Sequence, residues 1–477
     1  MSYAVNIVAH HLRLFGVQAR SGVSPGEIVL ENSNARIILH HHAAEAESIQ
    51  ARLTDAFSCL AVNAAEQAWR HLRSFHIADI LTGPDINPVV VDENNAPIWA
   101  WKPDQRGGTL VIATDLAADL VLMRQGDPAA SANRPTEAQW GIAGERPTYL
   151  FEGQLEADKP HDRMADWWMW TLRDALIRHA GIKPDDILPF GAKGMVIVTG
   201  DDDQAPFEDY RAQEKLLGGL PVTYFLHPLT KHTRQSMAEH SMGRSVEWEI
   251  HPDALETPHE YDARFDEQAA WFEGLTGRPP RLVRNHGFLN DGYWGHTKAW
   301  QKHGITGSSN LPGLNGRVLN GSLLPARLAL NGQLTDHWSM LTVFGDGVMF
   351  VLEWDDETAA RAIFEAGQRI IESGIPGILV FNLHPANHVI AASMHKAVKR
   401  LISEQGFATM TFGAALEWFS RQDRKQITVP VSNVAKTDYA LSDCDLVSTE
   451  ALTKSQMMWS VPLRAIRFVQ RFWMRSG

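Results

Sequence analysis

Three adjacent aspartates, Asp201, Asp202 and Asp203, directly follow Gly200 and the short apolar run 195–199. A run of this kind is typical of a buried parallel strand, and α/β folds place their chemistry at the carboxyl ends of such strands. Carboxylates this close repel one another unless a cation lies among them or one of them stays protonated. The motif therefore predicts a metal site or an acid/base site, with a solvated turn as the alternative.

Histidines end later apolar runs of the same kind. They are His251, His286 and His384, and Arg284 precedes the second of them by two residues. One histidine at a strand end is usually a structural residue, but three together with paired aspartates are hard to explain as packing. In a parallel barrel all strand ends meet on one face, so these residues are expected to be neighbours. One aspartate with two histidines is a ligand set suited to zinc, cobalt, manganese or iron.

The elements that must position these residues alternate between strand and helix patterns from residue 195 to about 420. Strands are predicted at 195–199, 221–226, 246–251, 281–284, 304–308, 347–354, 376–383 and 407–411, with helices at 260–275, 357–373 and 393–404. Roughly seven or eight βα units predict an α/β fold with a closed or nearly closed parallel barrel.

The sequence before this region predicts a different unit. Residues 1–150 are expected to form an N-terminal α/β domain of unknown role, followed by a helical linker over 151–194. The tryptophans of the linker helix are predicted to pack between domains. Asp115 follows another predicted strand, where capping of the next helix is expected and a second site is the alternative.

Composition limits the function classes. The net charge of −12 disfavours nucleic-acid binding. Two distant cysteines support neither a disulfide framework nor a zinc ribbon. The N-terminus lacks the apolar core of a signal peptide, so a cytoplasmic protein is expected.

The tail 426–477 is basic, and no acidic residue follows Glu450. Its arginines recur on one face of a predicted helix, at Arg464, Arg467, Arg471 and Arg475. Such a helix either contacts the inner face of an anionic membrane or docks on the protein's own acidic surface.

The order Thr199-Gly200-Asp201-Asp202, then His251, then Arg284, then Leu383-His384 resembles the NodB-type polysaccharide deacetylases, carbohydrate esterase family four. The resemblance covers about 195–420 and implies a distorted (β/α)7 barrel. Members of this family are metal-dependent hydrolases that remove N- or O-acetyl groups from sugars. The region 195–425 is therefore expected to be a deacetylase-like barrel.

The first motif of the family implies that Asp201 is the general base and Asp202 a metal ligand. Asp203 stands where the family usually has glycine, so a register shifted by one residue is the alternative. The second motif implies His251 as a ligand, but Leu255 stands where the family has its second histidine. His286 is the favoured replacement because a strand end holds a side chain firmly, and His259 is the alternative.

The later motifs imply further roles. Arg284 matches the arginine that orients the catalytic aspartate, and Gly287 stands where a backbone N–H helps to hold the oxyanion. His384 matches the general acid. The segment 351–356 is assigned to the fourth motif, which makes Trp354 and Asp355 candidate substrate-binding residues.

The sequence is compatible with two functions. The first is a hydrolase of carbon–nitrogen bonds that uses a divalent transition metal, zinc above all, to deacetylate a glycan or a glycan precursor. The second is a glycan-binding or scaffolding protein on a degenerate deacetylase barrel. The presence of Leu255 in place of the second histidine favours this function.

Overall fold

The structure is a computed structural model of the chain. It describes residues 2–31, 33–39, 49–53, 71–74, 80–81, 83, 85–92, 94–105, 107–126, 163–290, 293–313, 316–424 and 446–447. Both cysteines and the predicted basic helix of the tail lie outside these residues. Within them, no helix combines the length and the apolar character needed to cross a bilayer.

The N-terminal part of the chain forms one mixed sheet, on which helix α1 (Ser2–Leu14) packs. Its described strands are β1 (Ala19–Ser21), β2 (Glu27–Leu30), β3 (Arg36–Leu39), β4 (Ile49–Leu53), β5 (His71–Ser74), β7 (Asn87–Asp92), β8 (Pro97–Lys102) and β9 (Thr109–Ile112), in the order β1-β2-β3-β9-β8-β7-β4-β5. The short strand β6 (Ile80–Leu81) pairs instead with β20 (Leu446–Val447). Helix α2 (Leu116–Gln125) is capped by the carboxylate of Asp115, which accepts a hydrogen bond from Ala118 N, so the capping role is confirmed.

The second sheet carries the predicted site. Its strands are β10 (Gly194–Asp201), β11 (Val222–Leu226), β12 (Val246–Ile250), β13 (Leu282–Val283), β14 (Gly307–Pro312), β15 (Ala326–Leu330), β16 (Gln333–Thr342), β17 (Phe344–Gly345), β18 (Gly377–Asn382) and β19 (Ala408–Thr409). The order is β15-β16-β14-β13-β12-β11-β10-β18-β17, with β19 beside β10. All these pairs are parallel except β15 with β16.

Helices connect most of these strands. They are α3 (Met164–Ala180), before the sheet, and then α4 (Phe207–Leu217), α5 (Arg234–Ser241), α6 (Tyr261–Thr276), α7 (Thr297–Lys302), α8 (Asp346–Leu352), α9 (Asp356–Ser373), α10 (Ala392–Ser403) and α11 (Phe412–Asp423). All eight residues of β10 are buried, as expected for a parallel strand that is covered on both faces.

One buried apolar cluster joins the two parts of the chain. It includes Ile7 of α1, Trp168 of α3 and Ile197 of β10. The rings of Trp99 and Trp168 lie 4.8 Å apart, so this linker tryptophan packs between the two sheets as predicted. The domain boundaries themselves remain a prediction.

The α/β class is confirmed, but several elements differ from the sequence prediction. The segment 347–354 was expected to be a strand, and the chain forms helix α8 there instead. Periodicity alone does not separate a short buried helix from a buried strand in an apolar run of this length. The strands β15 and β16 were not predicted, because their alternation of polar and apolar residues is weak.

Candidate active site

The carboxyl ends of four strands, β18, β10, β12 and β13, bring the predicted residues together, and β11 lies between β10 and β12. Asp201 ends β10, and the backbone ladder continues past the other strand ends through His251 N to Leu226 O at 2.8 Å and Arg284 N to Ile250 O at 3.3 Å. On the other side of β10, Leu383 N donates to Thr199 O at 2.8 Å. This register fixes the positions of the side chains at the carboxyl ends of the strands, which is where parallel α/β folds commonly have their active sites.

Gly200 sets the spacing at this point. A Cβ at position 200 would lie 2.5 Å from the carbonyl oxygen of Leu383, which is too close for any side chain. The absence of a side chain therefore lets β10 and β18 approach where Asp201 and His384 emerge.

Asp201 is held by a buried ion pair. Arg284, which is fully buried, donates from Nε to Asp201 Oδ1 at 2.7 Å, and Asn382 donates from Nδ2 to Asp201 Oδ2 at 2.7 Å. Burial raises the pKa of Asp201. The positive charge of Arg284, followed by the nearby histidines, lowers the pKa by more than burial raises it, so the pKa of Asp201 lies below the usual value. Asp201 is therefore a fixed, ionised carboxylate.

Arg284 makes two further hydrogen bonds that orient its guanidinium. It donates to Thr199 Oγ1 at 2.8 Å and to Asn382 Oδ1 at 3.0 Å. Its guanidinium also lies 4.5 Å from the ring centre of Phe225. The predicted orienting role of Arg284 thus matches its position.

Three potential metal ligands meet beside Asp201. Ligand atoms of Asp203, His251 and His286 all lie within 4.8 Å of one another. His251 Nε2 is 3.4 Å from Asp203 Oδ1, and His286 Nε2 is 3.8 Å from the same oxygen. Both His251 Nε2 and Asp203 Oδ1 are buried and make no hydrogen bond of normal geometry within the described part of the chain. Buried polar atoms normally have partners, so this arrangement fits a bound cation.

The tautomer of His251 also fits this interpretation. Its Nδ1 lies 2.6 Å from the carbonyl oxygen of Arg284, which can only accept, so Nδ1 carries the proton. The lone pair of the neutral ring is then on Nε2, which points toward Asp203. Metal-binding histidines are commonly oriented in this way by a carbonyl at the other ring nitrogen.

Asp202, which was predicted to be the aspartate ligand, does not belong to this cluster. Its buried carboxylate accepts a hydrogen bond from Tyr210 at 2.5 Å and another from Gln204 N at 3.3 Å. Burial raises the pKa of Asp202. The chain turns at Asp203, where φ is 39°, so neighbouring carboxylates point in different directions. Asp203 therefore replaces Asp202 as the candidate ligand.

His384 faces the same space and is held by a residue that the sequence analysis missed. Its Nδ1 lies 2.5 Å from Asp346 Oδ1, and its backbone N–H donates to Asp346 Oδ2 at 2.7 Å. Burial lowers the pKa of His384, but the charge of Asp346, followed by Asp203 and Asp201, raises it to about 10. His384 Nε2 lies 3.7 Å from Asp201 Oδ2 and 3.4 Å from Asp203 Oδ2.

Asp346 was overlooked because the fourth motif was assigned to 351–356. Asp355 instead caps helix α9, where its exposed carboxylate accepts from Thr358 N at 2.7 Å. Trp354 is half-buried and packs against the apolar core. The signal that could have found Asp346 is its position directly after the short strand Phe344–Gly345.

The remaining predicted residues have clear positions. Gly287 lies in the short turn His286–Phe288 with φ of 60°, directly after the candidate ligand. His259, the alternative ligand, has a side chain that is 79% exposed and lies 3.9 Å from Glu260. The structure therefore brings His286, and not His259, to the cluster.

No protein-family model and no curated protein matches the chain. The structure is similar to solved structures of polysaccharide deacetylases and family 4 carbohydrate esterases.

One similar structure is described as a polysaccharide deacetylase from Mycobacterium smegmatis, with 15% identity, 52% of this chain and 97% of that chain covered, and a TM-score of 0.39. Another is a family 4 carbohydrate esterase from Streptomyces lividans, with 12% identity, 46% and 92% covered, and a TM-score of 0.30. A third is a family 4 pseudoenzyme from Bacillus anthracis, with 13% identity, 46% and 65% covered, and a TM-score of 0.32. Because these TM-scores are below 0.5, the function has to be inferred from the geometry of the site itself.

Proposed function

We propose that this chain is a metal-dependent hydrolase that removes acetyl groups, N- or O-linked, from a glycan or a glycan precursor. The observation that carries the proposal is the meeting of a three-residue ligand cluster with an aspartate paired to a buried arginine and a histidine paired to a buried aspartate. Asp201 and His384 approach to 3.7 Å beside the cluster, and each is fixed by a buried partner of opposite charge.

Asp203, His251 and His286 would hold the metal, and their donor set of one carboxylate and two imidazoles suits zinc. When bound, such an ion supplies Lewis acidity, which lowers the pKa of water and polarises a carbonyl group. Three protein ligands leave a position open, as catalytic rather than structural zinc sites do.

Asp201 is the candidate general base. Arg284 and Asn382 each occupy one position on its carboxylate, and Oδ2 still faces the side of the site where His384 lies. Oδ2 would take the proton of the attacking water, and this proton could pass to His384 only after His384 has given its own Nε2 proton to the leaving group. The fixed orientation means that no rotation of the carboxylate is needed before the transfer.

His384 is the candidate general acid. Its Nδ1 is engaged by Asp346, so the proton on Nε2 is the one directed into the site. An amine or alkoxide leaves poorly without protonation, and the Nε2–H of a protonated His384 would supply that proton. The N–H of Gly287 remains the predicted donor to the oxyanion.

The fold proposal is a closed, distorted (β/α)7 barrel. The segment 333–345 supports it, because β16 pairs with β14 while β17 pairs with β18. Between them, Val343 N donates to Val380 O at 2.9 Å. One continuous segment thus bridges the two ends of the parallel strand order, which is what closure of a barrel requires.

We also propose that the substrate is a carbohydrate and that the protein is cytoplasmic. Its tail would contact the inner face of a membrane. The charge pattern of residues 464–475 is the basis for the membrane contact. Binding of the full-length protein to anionic and neutral vesicles, with and without residues 448–477, tests that part separately.

The test of the catalytic proposal is acetate release from acetylated glycan oligosaccharides by the zinc-loaded protein. Asp201→Asn should lower kcat by about 10²–10⁴-fold while the metal content stays unchanged. Asp262→Asn, which changes an exposed carboxylate on α6, is the matched control. Full activity in Asp201→Asn would remove the proposed base. Metal and glycan binding without any acetate release would favour the degenerate, glycan-binding protein that Leu255 first suggested.

A further inference from the structure

His286 lies between two carboxylates, one on each side of its ring. Its Nε2 is 3.8 Å from Asp203 Oδ1, and its Nδ1 is 3.2 Å from Asp253 Oδ1. The first carboxylate belongs to the candidate metal cluster and the second does not. Asp253 therefore contacts the candidate ligand from outside the cluster.

Asp253 is itself rigidly held. Its Oδ1 accepts a hydrogen bond from Leu255 N at 3.0 Å. Its backbone N–H donates to Gln268 Oε1 at 2.8 Å, and Gln268 Nε2 donates back to its carbonyl oxygen at 2.7 Å. A loop residue fixed from a helix in this way can position a neighbouring side chain.

The other oxygen of Asp253 is engaged by His227, which is almost fully buried. His227 Nε2 lies 3.2 Å from Asp253 Oδ2, while Leu229 N donates to His227 Nδ1 at 3.1 Å. Because Nδ1 accepts a hydrogen bond, the proton of the neutral ring is on Nε2, which donates to Asp253.

The tautomer of His227 decides whether His227 and Asp253 are ligands of a second metal ion or only orient His286. His227, Asp253 and His286 also lie close enough together to be considered as metal ligands. In the observed arrangement, however, His227 Nε2 carries a proton and has no lone pair to offer. The geometry favours a chain of contacts from His227 through Asp253 to His286.

We propose that His227 and Asp253 are positioning residues that hold His286 with Nε2 directed at Asp203 and His251. This inference rests on the proposed function, because it assigns the outer partners of the same metal cluster. It explains how the chain keeps a second histidine ligand although Leu255 stands where the resemblance expects one. The new ligand comes from the next strand end, and a carboxylate that is two residues after His251 orients it.

The test is the affinity of the full-length, metal-free protein for zinc, measured by competition with a chromogenic chelator. Asp253→Asn should raise the dissociation constant about 10–100-fold, the usual effect of losing an outer partner of a histidine ligand. Asp262→Asn, an exposed carboxylate nearby on α6, should leave it unchanged.

A conservative pair at position 227 separates positioning from a general effect on folding. The amide of His227→Gln can still donate to Asp253, so the dissociation constant should stay within about threefold of the wild type. His227→Leu cannot donate and should weaken zinc binding about tenfold. Urea unfolding of each metal-free variant shows whether the fold is intact.

Equal affinities for the wild type, Asp253→Asn and His227→Leu would overturn this inference alone. Two equivalents of zinc in the wild type, with one lost in His227→Leu, would also overturn it and identify a second metal site. A wild-type protein that binds no zinc would instead contradict the proposed function.

Discussion

Breaking the ion pair between Arg284 and Asp201 should be among the most destabilising changes in this chain. Arg284→Met removes three hydrogen bonds of 2.7–3.0 Å and leaves the Asp201 carboxylate, 3% exposed, without its ion-pair partner. Removing one partner of a buried ion pair typically costs about 3–5 kcal/mol of unfolding free energy. Arg281→Met, the same change at a half-exposed side chain, should cost about 1 kcal/mol or less.

The assay is urea unfolding at pH 7, followed by tryptophan fluorescence, with a chelator present so that metal binding does not add to stability. Asp201→Asn alone should also destabilise the protein, because Arg284 then lacks its partner. The double variant should lose less than the sum of the single losses, with a coupling free energy of about 1–3 kcal/mol. Strict additivity, or an Arg284→Met loss no larger than that of Arg281→Met, would refute the reasoning.

Three further predictions concern other parts of the structure. Burial raises the pKa of Asp423, but the contacts with His10 and Arg13 lower it well below its usual range. Asp423→Asn should therefore cost about 2 kcal/mol at pH 7, and the gap from the wild type should close as the pH falls below about 4, in chemical unfolding measured across pH. Gly200→Ala should lower the unfolding free energy by about 1–3 kcal/mol, because its Cβ would meet a backbone oxygen, and a wild-type urea midpoint would contradict this. Asp355→Ala should cost about 1 kcal/mol through the lost helix cap, with acetate release unchanged; a large loss of activity would return Asp355 to the site.

Much of the larger sheet could be predicted from the sequence, because buried parallel strands have continuous apolar sequences. The strand at 195–199 and the helices at 260–275 and 357–373 match the structure within a few residues. The prediction of a strand at 347–354 failed because of this same feature. An uninterrupted apolar stretch has no period that separates a helix from a strand, and tertiary packing decides between them.

Part of the candidate site could also be predicted from the sequence. Asp201, His251 and His384 could be found because each one directly follows an apolar run, and the topology then brings strand ends together. The exchange of Asp202 for Asp203 could not be predicted, since it depends on how the backbone turns after β10. Asp346 was missed because the strand before it, Phe344–Gly345, is only two residues long, so the fourth motif was assigned to 351–356 instead.

The most direct test of the account is the metal content of protein purified and then reconstituted with zinc, measured by elemental analysis. About one equivalent is expected in the wild type and in Asp202→Asn, whose side chain can keep the hydrogen bond with Tyr210, while Asp203→Ala should lose the metal. Zinc retained in Asp203→Ala and lost in Asp202→Asn would contradict the cluster described for this site, and the absence of zinc from the wild type would contradict the proposed hydrolase.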